Sequence, residues 1–178
     1  MTRPEHAPRT RDVAAVIMAA GKGTRMKDPE RAKVMYELNG KPMIHYVVDL
    51  AYGLRASRVI VVVGHQSDVV AGYVRASHPD AVCVLQRQQL GTGHAVMQAE
   101  GPLRDFDGDV LVLSGDVPLL TLASMQEFIR HHRDADAVAT ILTATLPDPA
   151  GYGRIVRNPD GSVQKIVEHR DAGEAELA

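Results

Sequence analysis

The sequence has no tryptophan, two phenylalanines and five tyrosines, so aromatic residues make up only 4% of it. That scarcity argues against a nucleic-acid groove built on stacked aromatic platforms. Charge of one sign is also scarce. The formal net charge is -2, which excludes a whole-surface basic field that would recruit nucleic acid. Cysteine occurs once, as Cys83, so no intramolecular disulfide can form. Cys83 lies in the apolar run 81–85 and reads as a buried, inert thiol, in keeping with a cytoplasmic protein. Long hydrophobic runs are missing as well, and with them any membrane-spanning segment. Residues 1–11 are polar, carry Pro4 and Pro8, and lack the apolar core of a signal peptide. They read as a frayed tail.

What is present fits one globular domain. The chain has 178 residues, 45% of them hydrophobic, enough to bury a sizeable core. The expected division is a flexible tail over 1–12 and a single domain over 13–178, with no repeat and no interdomain linker. Apolar runs at 13–18, 58–63, 81–86, 109–114 and 135–145 read as strands. Helical periodicity occupies 42–54, 67–76, 92–99 and 121–133, the last with Thr121 as N-cap. Strands and helices alternate. That order predicts an α/β fold: a Rossmann-like, three-layer, mixed but mostly parallel sheet with helices on both faces. The end of the chain differs. Segments 153–157 and 162–168 flank Asn158-Pro159-Asp160-Gly161, a hairpin signal.

Open α/β sheets bind ligands at the carboxyl ends of their strands. After the first strand comes Ala19-Ala20-Gly21-Lys22-Gly23-Thr24-Arg25-Met26. Gly21 and Gly23 allow backbone amides to approach an anion, Thr24 adds a hydroxyl, and Arg25 a planar fork for phosphate oxygens. The same residues would also serve as a plain glycine turn. A dinucleotide fingerprint would need a third glycine at Met26, and a P-loop would need Gly-Lys-Ser/Thr after a four-residue gap. Neither spacing is met. Of the nearby cations, Arg25 and Lys33 read as phosphate contacts, Lys27 and Arg31 as solvated charges, and Lys22 remains open.

After the third main strand stands Gln86-Arg87-Gln88-Gln89-Leu90-Gly91-Thr92-Gly93-His94-Ala95. The Gln86 amide can match the donor and acceptors of a uracil edge. Gly91 and Gly93 permit close backbone approach. The alternative is a polar loop that enters a helix capped by Thr92. His94 reads as structural rather than as a general base. After the fourth strand, Ser114-Gly115-Asp116-Val117-Pro118 puts a carboxylate where Mg²⁺ could be held, or where a turn residue could precede Pro118. Glu168, at the end of the hairpin, is a sugar-hydroxyl acceptor or a surface charge.

In that order these motifs resemble the sugar nucleotidyltransferase family, and within it the uridyltransferase domains of the bifunctional bacterial enzymes that make UDP-N-acetylglucosamine. The resemblance covers roughly 13–172. It is carried most specifically by Gln-Leu-Gly-Thr-Gly-His-Ala, Gly-Tyr-Gly-Arg-Ile and Ile-Val-Glu-His in their shared order. It implies a nucleotidyltransferase that uses UTP, N-acetylglucosamine-1-phosphate and Mg²⁺ and serves cell wall precursor biosynthesis. Ala20, Gly21, Gly23, Thr24 and Arg25 would cradle the triphosphate, and Lys33 would match the phosphate-binding lysine. Gln86, Gly91 and Thr92 would read the uracil side, Asp116 would ligate magnesium, and Gly153 and Glu168 would hold the sugar. The chain departs from the family pattern at Arg31-Ala32, which replace a leucine-proline pair, and at Ser114, which replaces a tyrosine. The pattern also continues with a sugar-binding asparagine and a metal-binding asparagine past Ala178, and with an acetyltransferase domain. The expectation is therefore no acetyl transfer by this chain.

The implied reaction is direct displacement at the α-phosphorus with no protein general base. Catalysis then rests on alignment and charge stabilisation by Arg25, Lys33 and Asp116. Two other readings stay open: a transferase using another nucleotide or sugar phosphate, and a non-catalytic module that binds nucleotide or UDP-sugar. No nucleic-acid or membrane partner is expected. The oligomeric state, homo-oligomer included, is not given by the sequence.

Overall fold

The computed structural model describes residues 11–21 and 31–177. The chain forms two compact units, the first ending at Asp136 and the second spanning Ala137–Ala178. Among the described residues, no helix is long and apolar enough to cross a membrane.

The first unit opens with β1 (Asp12–Ala19), then a ribbon of β2 (Glu37–Leu38) and β3 (Lys41–Pro42). Next come α1 (Met43–Gly53), β4 (Arg58–Val63), α2 (Ser67–Ser77) and β5 (Val82–Leu85). It closes with α3 (Thr92–Met97), α4 (Glu100–Leu103), β6 (Gly108–Ser114) and α5 (Leu122–Asp134). The main sheet has the order β5-β4-β1-β6, and each neighbouring pair is parallel. β1 is central and covered on both faces, which is why its sequence runs apolar without polar alternation.

Side chains of successive strand residues point to opposite faces, and the core divides accordingly. Ala15, Ile17, Val59 and Val61 join Ile44, Val47 and Val48 of α1, Val70 and Val74 of α2, and Met125 of α5. Val16, Ile60 and Val62 face the other way and join Ala95 and Ala99, with Leu103 against them. The three-layer α/β architecture expected from the sequence is therefore observed. Removing one of these fully buried branched side chains, as in Ile60→Ala, costs about 2–5 kcal/mol.

Thr121 caps α5 as expected, accepting a hydrogen bond from the Ser124 amide at 3.1 Å. At the other end of the helix, Arg133 Nε donates to Asp109 Oδ2 at 2.6 Å. That carboxylate is only 11% exposed, so the pair ties the last turn of α5 to the start of β6. The helix expected over 92–99 stops at Met97, and α4 restarts the turn just beyond it. The β2–β3 ribbon has no counterpart among the sequence expectations. Two-residue strands are too short for alternation to register, although Asn39-Gly40, both at positive φ, is a hairpin turn pair.

One expectation is corrected outright where the second unit begins. Residues 135–145 form no strand. Asp136, at φ 45°, turns the chain out of α5. Val138, Ile141 and Leu142 are exposed. An apolar run with Val, Thr and Ile residues resembles a strand, but a strand is stable only within a ladder, and among the described residues none of 135–145 is paired into a sheet. Beyond them the hairpin is present: β7 (Arg154–Arg157) pairs antiparallel with β8 (Val163–Val167). Its turn closes through Gly161 N to Asn158 O and Asn158 N to Ser162 O, both 2.9 Å. A short α6 (Glu174–Leu177) follows, where Lys165 pairs with Glu176 at 2.5 Å.

Candidate functional site

Because β1, β5 and β6 are parallel, their carboxyl ends share one edge of the sheet. A cleft of about 510 Å³ opens there in the first unit. Residues at the strand ends line it: Ala20 and Gly21 after β1, Gln86, Gln89, Gly91 and Thr92 after β5, and Ser114 and Asp116 at the end of β6.

The floor is set by backbone contact. Gly115 N donates to Met18 O at 2.9 Å. A Cβ at residue 115 would stand 3.0 Å from both Met18 O and Ile44 Cδ1, and 3.2 Å from Val34 Cγ1. Glycine thus lets β6 turn against β1 and deliver Asp116 to the cleft.

Lys33 arrives from the opposite wall. It opens a single 3₁₀ turn, Lys33–Met35, whose flanking Ala32 and Val34 are buried. With its neighbours anchored inward, Lys33 faces the cleft and remains 41% exposed. Its Nζ donates to Asp116 Oδ2 at 2.6 Å. The loop is held from two sides. Ala32 N donates to Gln66 Oε1 at 2.9 Å. Arg31 donates from Nη2 and Nε to Met35 O at 2.8 and 3.1 Å. Arg31, expected to be a solvated charge, is therefore a clamp on its own loop. It stands where the family pattern has a leucine, and the clamp shows how the altered Arg31-Ala32 loop still presents Lys33.

The third wall is the segment after β5. Gln86 is 4% exposed, a buried polar residue at the end of β5. Its Nε2 donates to Gly91 O at 3.1 Å and lies 3.0 Å from His94 Nδ1. Among the described residues its Oε1 has no partner and remains the acceptor available for recognition. Gly91 adopts φ 102°, which a residue with a Cβ rarely adopts. This glycine is the N-cap of α3, with no side-chain cap bond, so Thr92 is the first helical residue rather than the cap. His94 is held within this wall: Gln86 meets its ring, and Gln98 Nε2 donates to its carbonyl at 2.9 Å.

Gln89 was not singled out by the sequence. It lines the cleft, and its Nε2 donates to Ala20 O at 2.9 Å, joining the segment after β5 to that after β1. Its place within the specific Gln-Leu-Gly stretch was the available signal.

Of the expected site residues, Ala20, Gly21, Lys33, Gln86, Gly91, Thr92 and Asp116 come together in this cleft. Gly23, Thr24 and Arg25 lie outside the described residues. Gly153 and Glu168 are neighbours in the second unit, where a Cβ on Gly153 would stand 3.1 Å from Val167 O and 3.9 Å from Glu168 Oε2. Cys83 is half-buried outside the cleft, and burial pushes its thiol pKa up, consistent with an inert role.

The donor chemistry suits a hard divalent cation. Magnesium takes oxygen ligands, commonly one or two carboxylates completed by substrate phosphates and water. Lys33 occupies one oxygen of Asp116; among the described residues the other is unengaged and borders a cleft with room for phosphates.

Comparison with known proteins shows the family and the fold. Residues 15–170 match the MobA-like NTP transferase domain. The bifunctional protein GlmU of Bacillus thuringiensis (strain Al Hakam) is 49% identical over 164 residues, 92% of this chain. GlmU of Bacillus anthracis is similar to the same extent. The chain spans 35% of the length of these relatives. A UDP-glucose pyrophosphorylase from Acinetobacter baumanii superposes with a TM-score of 0.69 at 23% identity, over 89% of this chain and 68% of that one. A nucleotidyl transferase from Methanothermobacter gives 0.55 at 26% identity, over 67% and 57% of the two chains. At such identities the structural likeness speaks for the fold.

Proposed function

The chain belongs to the MobA-like NTP transferase family, and on that premise we propose that it transfers a uridylyl group from UTP to N-acetylglucosamine-1-phosphate, giving UDP-N-acetylglucosamine and pyrophosphate. The observation that carries the reading is the meeting of Lys33 and Asp116, at 2.6 Å, in a cleft walled by Gln86, Gly91 and Thr92. A cation, a carboxylate and a base-reading amide at one sheet edge are what a nucleoside triphosphate and its metal require. The match to the bifunctional GlmU proteins supports the choice of uridine and N-acetylated sugar.

In this reaction a phosphate oxygen of the sugar phosphate attacks the α-phosphorus of the nucleotide. A new P–O bond forms as the bond to the β-phosphate oxygen breaks, and pyrophosphate leaves. The attacking oxygen is already anionic, so no side chain needs to remove a proton. The residues align the two substrates and hold charge in place. Ala20 and Gly21 bring backbone close to the phosphates. Lys33 exchanges its hold on Asp116 for phosphate oxygens. Asp116 would hold Mg²⁺, which supplies charge neutralisation between two anions. Gln86 would offer Oε1 to the uracil N–H while Gly91 and Thr92 bound the base. Gly153 and Glu168 are assigned to the sugar and Arg25 to the phosphates on the resemblance in sequence.

The test is pyrophosphate release measured with each of UTP, CTP, GTP and ATP against N-acetylglucosamine-1-phosphate and glucose-1-phosphate, with Mg²⁺. Release only with UTP and the N-acetylated sugar is expected. Nucleotide binding without release under any pairing would reduce the chain to a binding module.

A further inference from the structure

On a different face, three side chains converge that the cleft does not use. His45 and Asp49 lie one turn apart on α1, and His78 caps the end of α2. His78 Nε2 stands 2.7 Å from Asp49 Oδ1, and His45 Nε2 stands 3.2 Å from Asp49 Oδ2. One ligand atom from each residue falls within 4.8 Å of the other two. The imidazoles are 14% and 9% exposed, while Asp49 is 53% exposed, so the cluster opens to solvent on its carboxylate side. None of the three lines the cleft.

The other nitrogen of each ring is also engaged. Tyr73 OH lies 3.1 Å from His45 Nδ1, and Ser77 Oγ lies 2.9 Å from His78 Nδ1. The His78 ring stacks on Tyr52 at 5.7 Å with 8° between planes. Both rings are therefore oriented from behind by hydroxyls, with both Nε2 atoms turned to one carboxylate. That is how proteins prepare histidines as metal ligands: the far nitrogen takes a partner and the near nitrogen keeps its lone pair for the ion.

We propose that His45, Asp49 and His78 form a binding site for a divalent transition cation of the zinc class, separate from the magnesium chemistry of the cleft. Two imidazoles and one carboxylate suit zinc, with water as the fourth ligand. Calcium and magnesium prefer all-oxygen sets and fit poorly. Ligand atoms around tetrahedral zinc lie about 3.4 Å apart, given bonds of about 2.1 Å. Small rotations of Asp49 and the rings close the remaining distance. The competitor is Lys41, whose Nζ is 2.8 Å from His45 Nε2 on an exposed stem. Its ammonium occupies the position of a cation and must swing out when one binds.

The experiment is a titration of the whole chain, freed of metal by chelation, with Co²⁺ in excess Mg²⁺, followed by the visible bands of tetrahedral cobalt. Saturable bands that Zn²⁺ displaces are expected. Asp49→Asn keeps the shape of the side chain and one acceptor oxygen, yet should weaken Co²⁺ by more than the ~10–100-fold typical of losing an outer partner. Asp116→Ala should bind Co²⁺ as the wild type does. Lys41→Met should tighten binding, an effect that a purely structural cluster would not produce. The circular dichroism spectrum of Asp49→Asn should match that of the wild type, showing that the fold is intact. Absence of the bands, bands unchanged in Asp49→Asn, or bands lost in Asp116→Ala would each overturn the site. None of these outcomes depends on which nucleotide the cleft accepts.

Discussion

Lys33 Nζ and Asp116 Oδ2 meet at 2.6 Å although 83 residues separate them in sequence. The pair is half-exposed, with side chains 41% and 31% accessible. Ion pairs at that exposure contribute about 0–1 kcal/mol to stability. The pair is therefore a weak strut, and its value lies in what each partner can do when a triphosphate arrives.

From this follows the first expectation. Lys33→Ala and Asp116→Ala should each lower turnover about 10²-fold or more, as removal of a preorganised charge-stabilising group does. Their melting temperatures should stay close to that of the wild type. Pyrophosphate release and a thermal melt measured on the same preparations separate the two effects. Wild-type turnover in either variant would refute the assignment.

Gln86 offers a second test. Its Nε2 is committed to Gly91 O and the His94 ring, so truncation to alanine leaves those groups unpaired and removes the acceptor proposed to read the base. Losing a buried hydrogen-bonding group costs about 1–3 kcal/mol, which is roughly a ten- to hundredfold weakening of nucleotide binding. Isothermal titration with UTP should show that loss. Equal loss for UTP and CTP would mean that Gln86 shapes the loop without reading the base.

At Gly115 the expectation concerns the fold. Alanine there would set its Cβ 3.0 Å from the Met18 carbonyl, a backbone atom that cannot rotate away. Overpacking of this kind costs about 1–3 kcal/mol. Urea unfolding should show a lowered midpoint with the slope unchanged, and turnover should fall because Asp116 is displaced.

Tyr52 should behave in the opposite sense. Its hydroxyl is buried with no hydrogen-bond partner among the described residues, and burial raises its pKa. Tyr52→Phe keeps the ring stacked on His78 and removes the unsatisfied group. Stability should hold or rise by about 1 kcal/mol, read as an upward shift of the melting temperature. A clear fall would mean that the hydroxyl has a partner in solution.

For Cys83 the sign follows from burial. The folded thiol pKa lies above its ordinary value, chiefly through desolvation, with Arg75 opposing. The folded state thus favours the neutral thiol. The associated stability is fully present below the ordinary thiol pKa and is lost as pH rises through the raised folded value. Alkylation by iodoacetamide at neutral pH should be slow in the native protein and fast in denaturant. Rapid native labelling would contradict an inert thiol.

Much of this was legible in the residues themselves. The runs at 13–18 and 58–63 announced strands covered on both faces, because nothing polar interrupts them. Thr121 announced a helix start, and Asn158-Pro159-Asp160-Gly161 a turn. Residues 135–145 misled because an apolar run fits a strand's composition and says nothing about whether a neighbour exists to complete its ladder. Lys33 and Asp116 could each be suspected from local chemistry. Their direct contact could not, since it depends on Gly115 letting β6 approach β1 closely. The His45–Asp49–His78 cluster was hidden for a similar reason: His45 and Asp49 share a helix face, but His78 reaches them only through the packing of α2 on α1.

The central position of β1 has a consequence for how the chain is made. Its register sets Val16 beside Ile60 on one side and beside Val112 on the other. β1 therefore acquires one neighbour early in synthesis and the second only after most of this unit has been translated. Until then, one edge of an apolar strand has its backbone donors and acceptors unsatisfied. Pairings across such sequence separation are slow to form. During synthesis, β1 with α1 and β4 would be the natural early assembly, and the arrival of β6, with Asp116 at its end, would complete the sheet and the cleft in a single late event.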